Sequence, residues 1–99
     1  MNYMDKIFKE GKVHTYNILK KMCDVVDAPI SVVNSSDDWY NKYTWTKIQQ
    51  DDFRDYLTQY LYDNSKARSE IMSYPRKNKK NCKEVADWFV FGYGWKLKD

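Results

Sequence analysis

The sequence has few of the residues on which small catalytic and metal sites depend. It contains one histidine, His14, and two cysteines, Cys23 and Cys82, with no Cys-x-x-Cys pair and no glycine-rich phosphate loop. His14 and Cys23 are nine positions apart, which at about 100° per residue places them on opposite sides of one helix. A pairing of His14 with Cys82 stays open, without support from spacing. We therefore expect no enzymatic activity, no metal and no cofactor.

A long apolar run is also missing. No stretch approaches the roughly 20 apolar residues that span a bilayer, and the first twelve residues, MNYMDKIFKEGK, lack the apolar region of a signal peptide. We expect a cytoplasmic protein that does not contact a membrane. In that compartment Cys23 and Cys82, both at apolar positions of candidate helices, are expected to be reduced and partly buried.

The size and composition are those of one folded domain covering residues 1–99. The chain is 42% hydrophobic and 17% aromatic, which is too apolar for a disordered chain. A length of 99 residues is enough to bury one core. With nine tyrosines and four tryptophans, much of that core consists of rings whose polar atoms need hydrogen-bond partners.

The clearest helix signal covers residues 46–62. Thr46 and Gln49 have the spacing of a capping box, and strand alternation does not fit. The apolar stripe repeats at helical spacing and comprises Phe53, Tyr56, Leu57, Tyr60 and Leu61. We expect this central helix to pack against residues 13–26 and 82–89.

Shorter helices are predicted around the central one. The first carries Met4, Ile7 and Phe8 and ends at Gly11, and the second covers residues 13–26 and ends at Asp27-Ala28-Pro29. Another begins at a Ser65 cap, and the last begins after Asn78. Residues 30–33 are β-branched, but no second strand is predicted to pair with them, so we expect an extended connector. The predicted fold class is mainly α, a compact small bundle of four to five short helices.

The sequence contains a set of aromatic, basic and glycine landmarks. They are Trp45-Thr46, Phe53, Tyr56-Leu57, Pro75, Lys77-Asn78-Lys79-Lys80, Trp88-Phe89 and Tyr93-Gly94-Trp95-Lys96. Together they resemble small uncharacterised proteins encoded by tailed bacteriophages. The resemblance covers the C-terminal half and brings no established activity. It implies a viral accessory or host-modulating factor that binds a macromolecule in the host cytoplasm.

Charge is concentrated between Lys66 and Lys83. That segment has seven basic residues and one acid, Glu70, whereas the whole chain has a net charge of only +3. Basic clusters of this kind attract polyanions and give salt-sensitive phosphate binding. A helix-turn-helix interpretation would place Asn81 against an adenine edge. The candidate nucleic-acid-binding residues are Arg76, Lys77, Lys79, Lys80, Asn81 and Lys83; the alternative is a solvated face.

Aromatic residues outside the periodic stripes are candidates for protein-binding anchors. Trp39, Tyr40 and Tyr43 lie with Trp45 beside two aspartates, a composition typical of binding loops, although a lid over the bundle is the alternative. Trp88 is a further candidate because it cannot face inward equally with its neighbour Phe89.

Three functional hypotheses follow. The first is a small non-enzymatic protein that binds another protein, as expected of a phage-type accessory factor. The alternative is a module that binds DNA or RNA through residues 66–83. A homodimer is also open, because acidic residues elsewhere in the chain complement that basic segment.

Overall fold

The fold is mainly α, as the sequence predicts. The computed structural model describes residues 6, 9–34, 43–91 and 96–97, and the short helix predicted at Met4, Ile7 and Phe8 lies outside these residues. The elements are α1 (Val13–Val25), a 3₁₀ helix (Ile30–Asn34), β1 (Thr44–Trp45), α2 (Lys47–Asp63), α3 (Ser65–Ile71), α4 (Lys79–Phe91) and β2 (Lys96–Leu97). Within this part of the chain, no helix is long and apolar enough to cross a membrane.

The start of α2 confirms the predicted capping box. The Thr46 hydroxyl accepts from the Gln49 amide at 3.1 Å, and the Gln49 side chain accepts from the Thr46 amide at 2.9 Å. Three residues of the predicted stripe, Phe53, Leu57 and Leu61, are buried. The prediction is wrong for Tyr56, which is exposed because it lies at the edge of the buried face.

The last helix, α4, runs antiparallel to α2 and is its main neighbour. Lys47 Nζ lies 5.4 Å from the Phe91 ring centroid at one end, and Lys79 Nζ lies 3.3 Å from Gln59 Oε1 towards the other. Cys82, Ala86 and Val90 form the buried face of α4, with the i, i+4, i+8 spacing of a helix stripe. α1 contacts α2, as predicted, and packs more extensively on α3, a contact that the sequence did not predict.

The end of α1 has the hydrogen bonds of a Schellman motif. The Ala28 amide donates to the Cys23 carbonyl at 2.9 Å, and the Asp27 amide donates to the Asp24 carbonyl at 3.4 Å. Asp27 takes the left-handed conformation, with φ of 57°, that this motif requires. The predicted stop at Asp27-Ala28-Pro29 is thereby confirmed.

One local prediction after α1 is wrong, and a short strand pair was not predicted. Residues 30–33 lie in the 3₁₀ helix, not in an extended connector, and the Val32 amide donates to the Pro29 carbonyl at 3.0 Å. The chain also has a parallel strand pair, in which Thr44 pairs with Lys96 and Trp45 with Leu97. These strands are too short to leave an alternation in the sequence.

The cap of α3 is Asn64 and not Ser65. Asn64 Oδ1 accepts from the Ala67 amide at 3.1 Å, while Ser65 is the first helical residue. Asparagine and serine are about equally favourable caps, so composition alone does not choose between neighbouring positions. The predicted Asn78 cap of α4 is confirmed, because its side chain accepts from the Asn81 amide at 3.2 Å.

Candidate nucleic-acid interface

A buried arginine holds the connection between α3 and α4 in place. Arg68 Nη1 donates to the carbonyls of Leu61 and Tyr62 at 3.0 and 2.6 Å, and its Nε donates to the Pro75 carbonyl at 3.2 Å. The first two carbonyls belong to the last turn of α2, which has no intrahelical partners for them. Arg68 is only 8% exposed, so it supports the surface from beneath and does not belong to it.

The other basic residues of this region lie on the surface. Arg76, Lys77, Lys79, Lys80 and Lys83, which we call the basic face, are all exposed. No ion pair joins any of them to an acid within the described residues. The acid nearest in sequence, Glu84, directly follows Lys83 and forms no ion pair with it, and Glu70 accepts hydrogen bonds from α1. The positive charge of the basic face is therefore not neutralised by ion pairs within the described residues.

Two lysines of the basic face pack on one ring. Lys77 Nζ lies 5.0 Å and Lys79 Nζ 5.7 Å from the centroid of Tyr62, both within cation–π range. Tyr62 is in the last turn of α2. The contact orients two positive charges towards one side of the junction between α2 and α4.

A groove lies beside the basic face, between the connection and the first turns of α4. Its volume is about 470 Å³, and its lining is Met72, Ser73, Tyr74, Arg76, Asn81, Glu84 and Val85. Tyr74 is 76% exposed, and its carbonyl accepts from the Arg76 amide at 2.8 Å. Sequence reasoning missed both Tyr74 and Glu84. The sequence signal for Tyr74 was its position before a proline within a basic segment, because the residue before a proline is disfavoured in a helix.

The exposed face of α4 extends the groove by one turn. Trp88 is 61% exposed and follows Glu84 by four positions and Val85 by three, so these side chains lie on one side of the helix. Its indole meets the Phe89 ring edge-on, with centroids 5.4 Å apart. Two exposed rings therefore lie at this surface. Tyr74 lines the groove, and Trp88 lies on the adjoining turn of α4.

The connection between α3 and α4 differs from that of a helix-turn-helix motif. It covers the seven residues 72–78, whereas the motif has a turn of about three to four residues. Asn81, predicted to read an adenine edge, is half-buried and lines the groove.

Comparison with other proteins adds no family to this geometry. No family model, curated protein or solved structure matches the chain.

The predicted protein-binding anchors are only partly described. Trp39 and Tyr40 lie outside the described residues, and Tyr43 is half-buried and packs against the core. Trp45, which the sequence groups with them, is completely buried and packs 5.7 Å from the Phe53 ring centroid. Among these anchors the exposed one in the described chain is Trp88.

The residues considered for catalysis are a hydrogen-bonded histidine and two buried cysteines. His14 Nδ1 is 2.6 Å from the Tyr60 hydroxyl. Cys23 and Cys82 are both free and buried, and burial raises the pKa of the Cys23 thiol to about 11 and also raises the pKa of Cys82. Across the described residues, no three His, Cys, Asp or Glu side chains are grouped to hold a metal.

Proposed function

We propose that this protein binds nucleic acid through phosphate contacts made by the basic face. The observation that carries the proposal is the exposure of five basic side chains, none ion-paired within the described residues, around one end of α4. Lysine and arginine at such a surface displace the counterions that surround a phosphate backbone. Binding of this kind is independent of sequence and weakens steeply as salt rises.

The experiment is fluorescence anisotropy with labelled single-stranded and duplex DNA and RNA, across a salt series. The test variant is Arg76→Glu with Lys80→Glu, because both side chains are exposed and neither takes part in the cation–π contacts with Tyr62. The matched control is Lys9→Glu with Lys20→Glu, which makes the same change of net charge at exposed lysines near and on α1.

We expect the test variant to lose at least tenfold in affinity and to bind with a shallower salt dependence, since each phosphate contact contributes about 0.7 to 0.9 to the slope. The control should retain nearly all binding. Equal losses of affinity in the test and control variants would mean that binding depends on net charge and not on the position of the basic face. If the wild type does not bind at low salt, the proposal is refuted.

A protein partner is the second candidate function. The observation that favours it is a group of exposed apolar side chains at the other end of the α2–α4 pair, formed by Ile48, Phe91 and Leu97. Exposed apolar groups of this kind are typical of protein-interaction sites. Light scattering tests a homodimer directly: Ile48→Asp should convert a dimer to a monomer without loss of helicity. A role as a phage accessory factor, which the sequence resemblance implies, fits either candidate.

A further inference from the structure

We propose that the nucleic acid is single-stranded, with unpaired bases stacked on Tyr74 and Trp88 while the basic face holds the backbone. This inference rests on the proposed function, because it names the substrate class of the same surface. It follows from three features of the groove and the adjoining turn of α4: two exposed rings, the polar lining of the groove and the hydrogen-bonded backbone at Tyr74.

The exposed rings are the first feature. Tyr74 and Trp88 are 76% and 61% exposed, although an aromatic side chain is normally most stable when it is largely buried. Aromatic rings beside a positively charged track are what single-strand-binding proteins use, since every base has a face that stacks. In a duplex both faces of a base are already stacked, so these rings would contact only the outside of the helix.

The polar lining of the groove is the second feature. Asn81 and Glu84 line it, and within the described residues Glu84 forms no ion pair. A carboxylate repels phosphate but accepts hydrogen bonds from the amino groups of cytosine, adenine and guanine. In a duplex each amino group uses one hydrogen in the base pair and presents the other only within a groove, whereas an unpaired base presents its whole Watson–Crick edge. The Glu84 carboxylate therefore belongs to a base site, and the lysines outside the groove belong to the backbone path.

The fixed backbone is the third feature. The Tyr74 carbonyl accepts from the Arg76 amide, and the next carbonyl, that of Pro75, accepts from the buried Arg68. These bonds hold Tyr74 in place before a ligand arrives, which lowers the entropy lost on binding. The groove volume of about 470 Å³ lies within the range of small-ligand pockets, which is enough for one base with its sugar.

The test compares oligonucleotides of one sequence as single strand and as duplex, by anisotropy at fixed salt, with wild type, Tyr74→Ala and Trp88→Ala. The control variant is Tyr56→Ala, which removes another exposed tyrosine, on α2 away from the groove. We expect single strands to bind at least tenfold more tightly than duplex. Tyr74→Ala and Trp88→Ala should each weaken single-strand binding by about tenfold and leave duplex binding unchanged, and Tyr56→Ala should change neither.

The difference in affinity between oligonucleotides of different bases provides a second test of the same surface. Wild type should bind oligocytidine more tightly than oligouridine, because uracil places a carbonyl oxygen where cytosine has its amino group. Glu84→Gln should reduce that preference, since an amide accepts less strongly than a carboxylate.

The two proposals fail in different ways. Equal binding of single strand and duplex, with Tyr74→Ala and Trp88→Ala both unchanged, overturns the single-strand inference but leaves phosphate binding in place. Absence of binding to every oligonucleotide at low salt overturns both.

Discussion

Glu70 caps the first turn of α1 from a different helix by accepting two hydrogen bonds from Thr15. Its Oε2 lies 2.6 Å from the Thr15 amide and 2.7 Å from the Thr15 hydroxyl, and its Oε1 accepts from the His14 amide at 3.2 Å. Lys12, at the N-cap position, provides no side-chain cap. Glu70 therefore satisfies amides that a local residue would usually satisfy, and it joins α3 to α1.

The first prediction concerns this cap. Glu70→Ala should destabilise the protein by about 1–2 kcal/mol, because two helix-start amides lose their acceptor. Glu70→Gln should cost less, since one oxygen still accepts. Urea denaturation followed by circular dichroism measures the difference. Glu84→Ala is the control, and a loss of the same size there would contradict the capping role.

The second prediction separates the structural arginine from the surface bases. Arg68→Met should destabilise the fold by about 2–3 kcal/mol, because the Leu61, Tyr62 and Pro75 carbonyls lose their donor. Arg68→Lys should also destabilise, since an ammonium cannot reproduce the planar guanidinium fork.

Lys66→Met, an exposed substitution on the same helix, is the control for Arg68 and should stay within about 0.5 kcal/mol of wild type. Thermal and urea unfolding provide the measurement. Equal stability of the Arg68→Met and Lys66→Met variants would mean that the buried hydrogen bonds contribute nothing.

The third prediction is a stabilising change at the end of α1. Asp27 adopts φ of 57°, which is unfavourable for a residue with a Cβ and unstrained for glycine. Asp27→Gly should therefore raise the unfolding free energy by about 0.5–1 kcal/mol. Asp27→Val should lower it, because a β-branched side chain is least compatible with this conformation. Both are measured by urea unfolding, and a fall in stability for Asp27→Gly would contradict the assigned conformation.

The fourth prediction concerns the Cys23 thiol. Burial raises its pKa from the ordinary value of 9.0 to about 11, so the folded protein keeps the proton over a range in which the unfolded chain loses it. Stability should be unaffected below pH 9 and should fall as pH rises from 9 to 11. The Cys23→Ala variant should lose less stability over the same range. A disulfide reagent at pH 8 should label the thiols slowly in the native protein and rapidly after denaturation; rapid native labelling would contradict their burial.

Local chemistry determined several features before any tertiary contact. The capping box of Thr46 and Gln49, the Asn78 cap and the stop at Asp27-Ala28-Pro29 each depend on residues within five positions of one another. The same holds for the helical stripe of Phe53, Leu57 and Leu61, because helical spacing alone brings those side chains to one face.

Contacts between distant segments decided the rest. In the sequence, Arg68 and Glu70 belong to the charged segment. Packing in the folded protein buries Arg68 against helix-end carbonyls and joins Glu70 to α1. The partners of Glu70 lie 55 and 56 positions away, and those of Arg68 lie six and seven positions away across the ends of helices, so neither follows from the spacing within one helix.

The exposure of Tyr74 and Trp88 was likewise decided by packing, because α4 packs one face against the core and the connection lies outside the core after Met72. The sequence by itself determined, within about one residue, where the helices start and end and which of their faces is apolar. Only the tertiary structure decided which charges and rings remain on the surface, because burial depends on which elements meet.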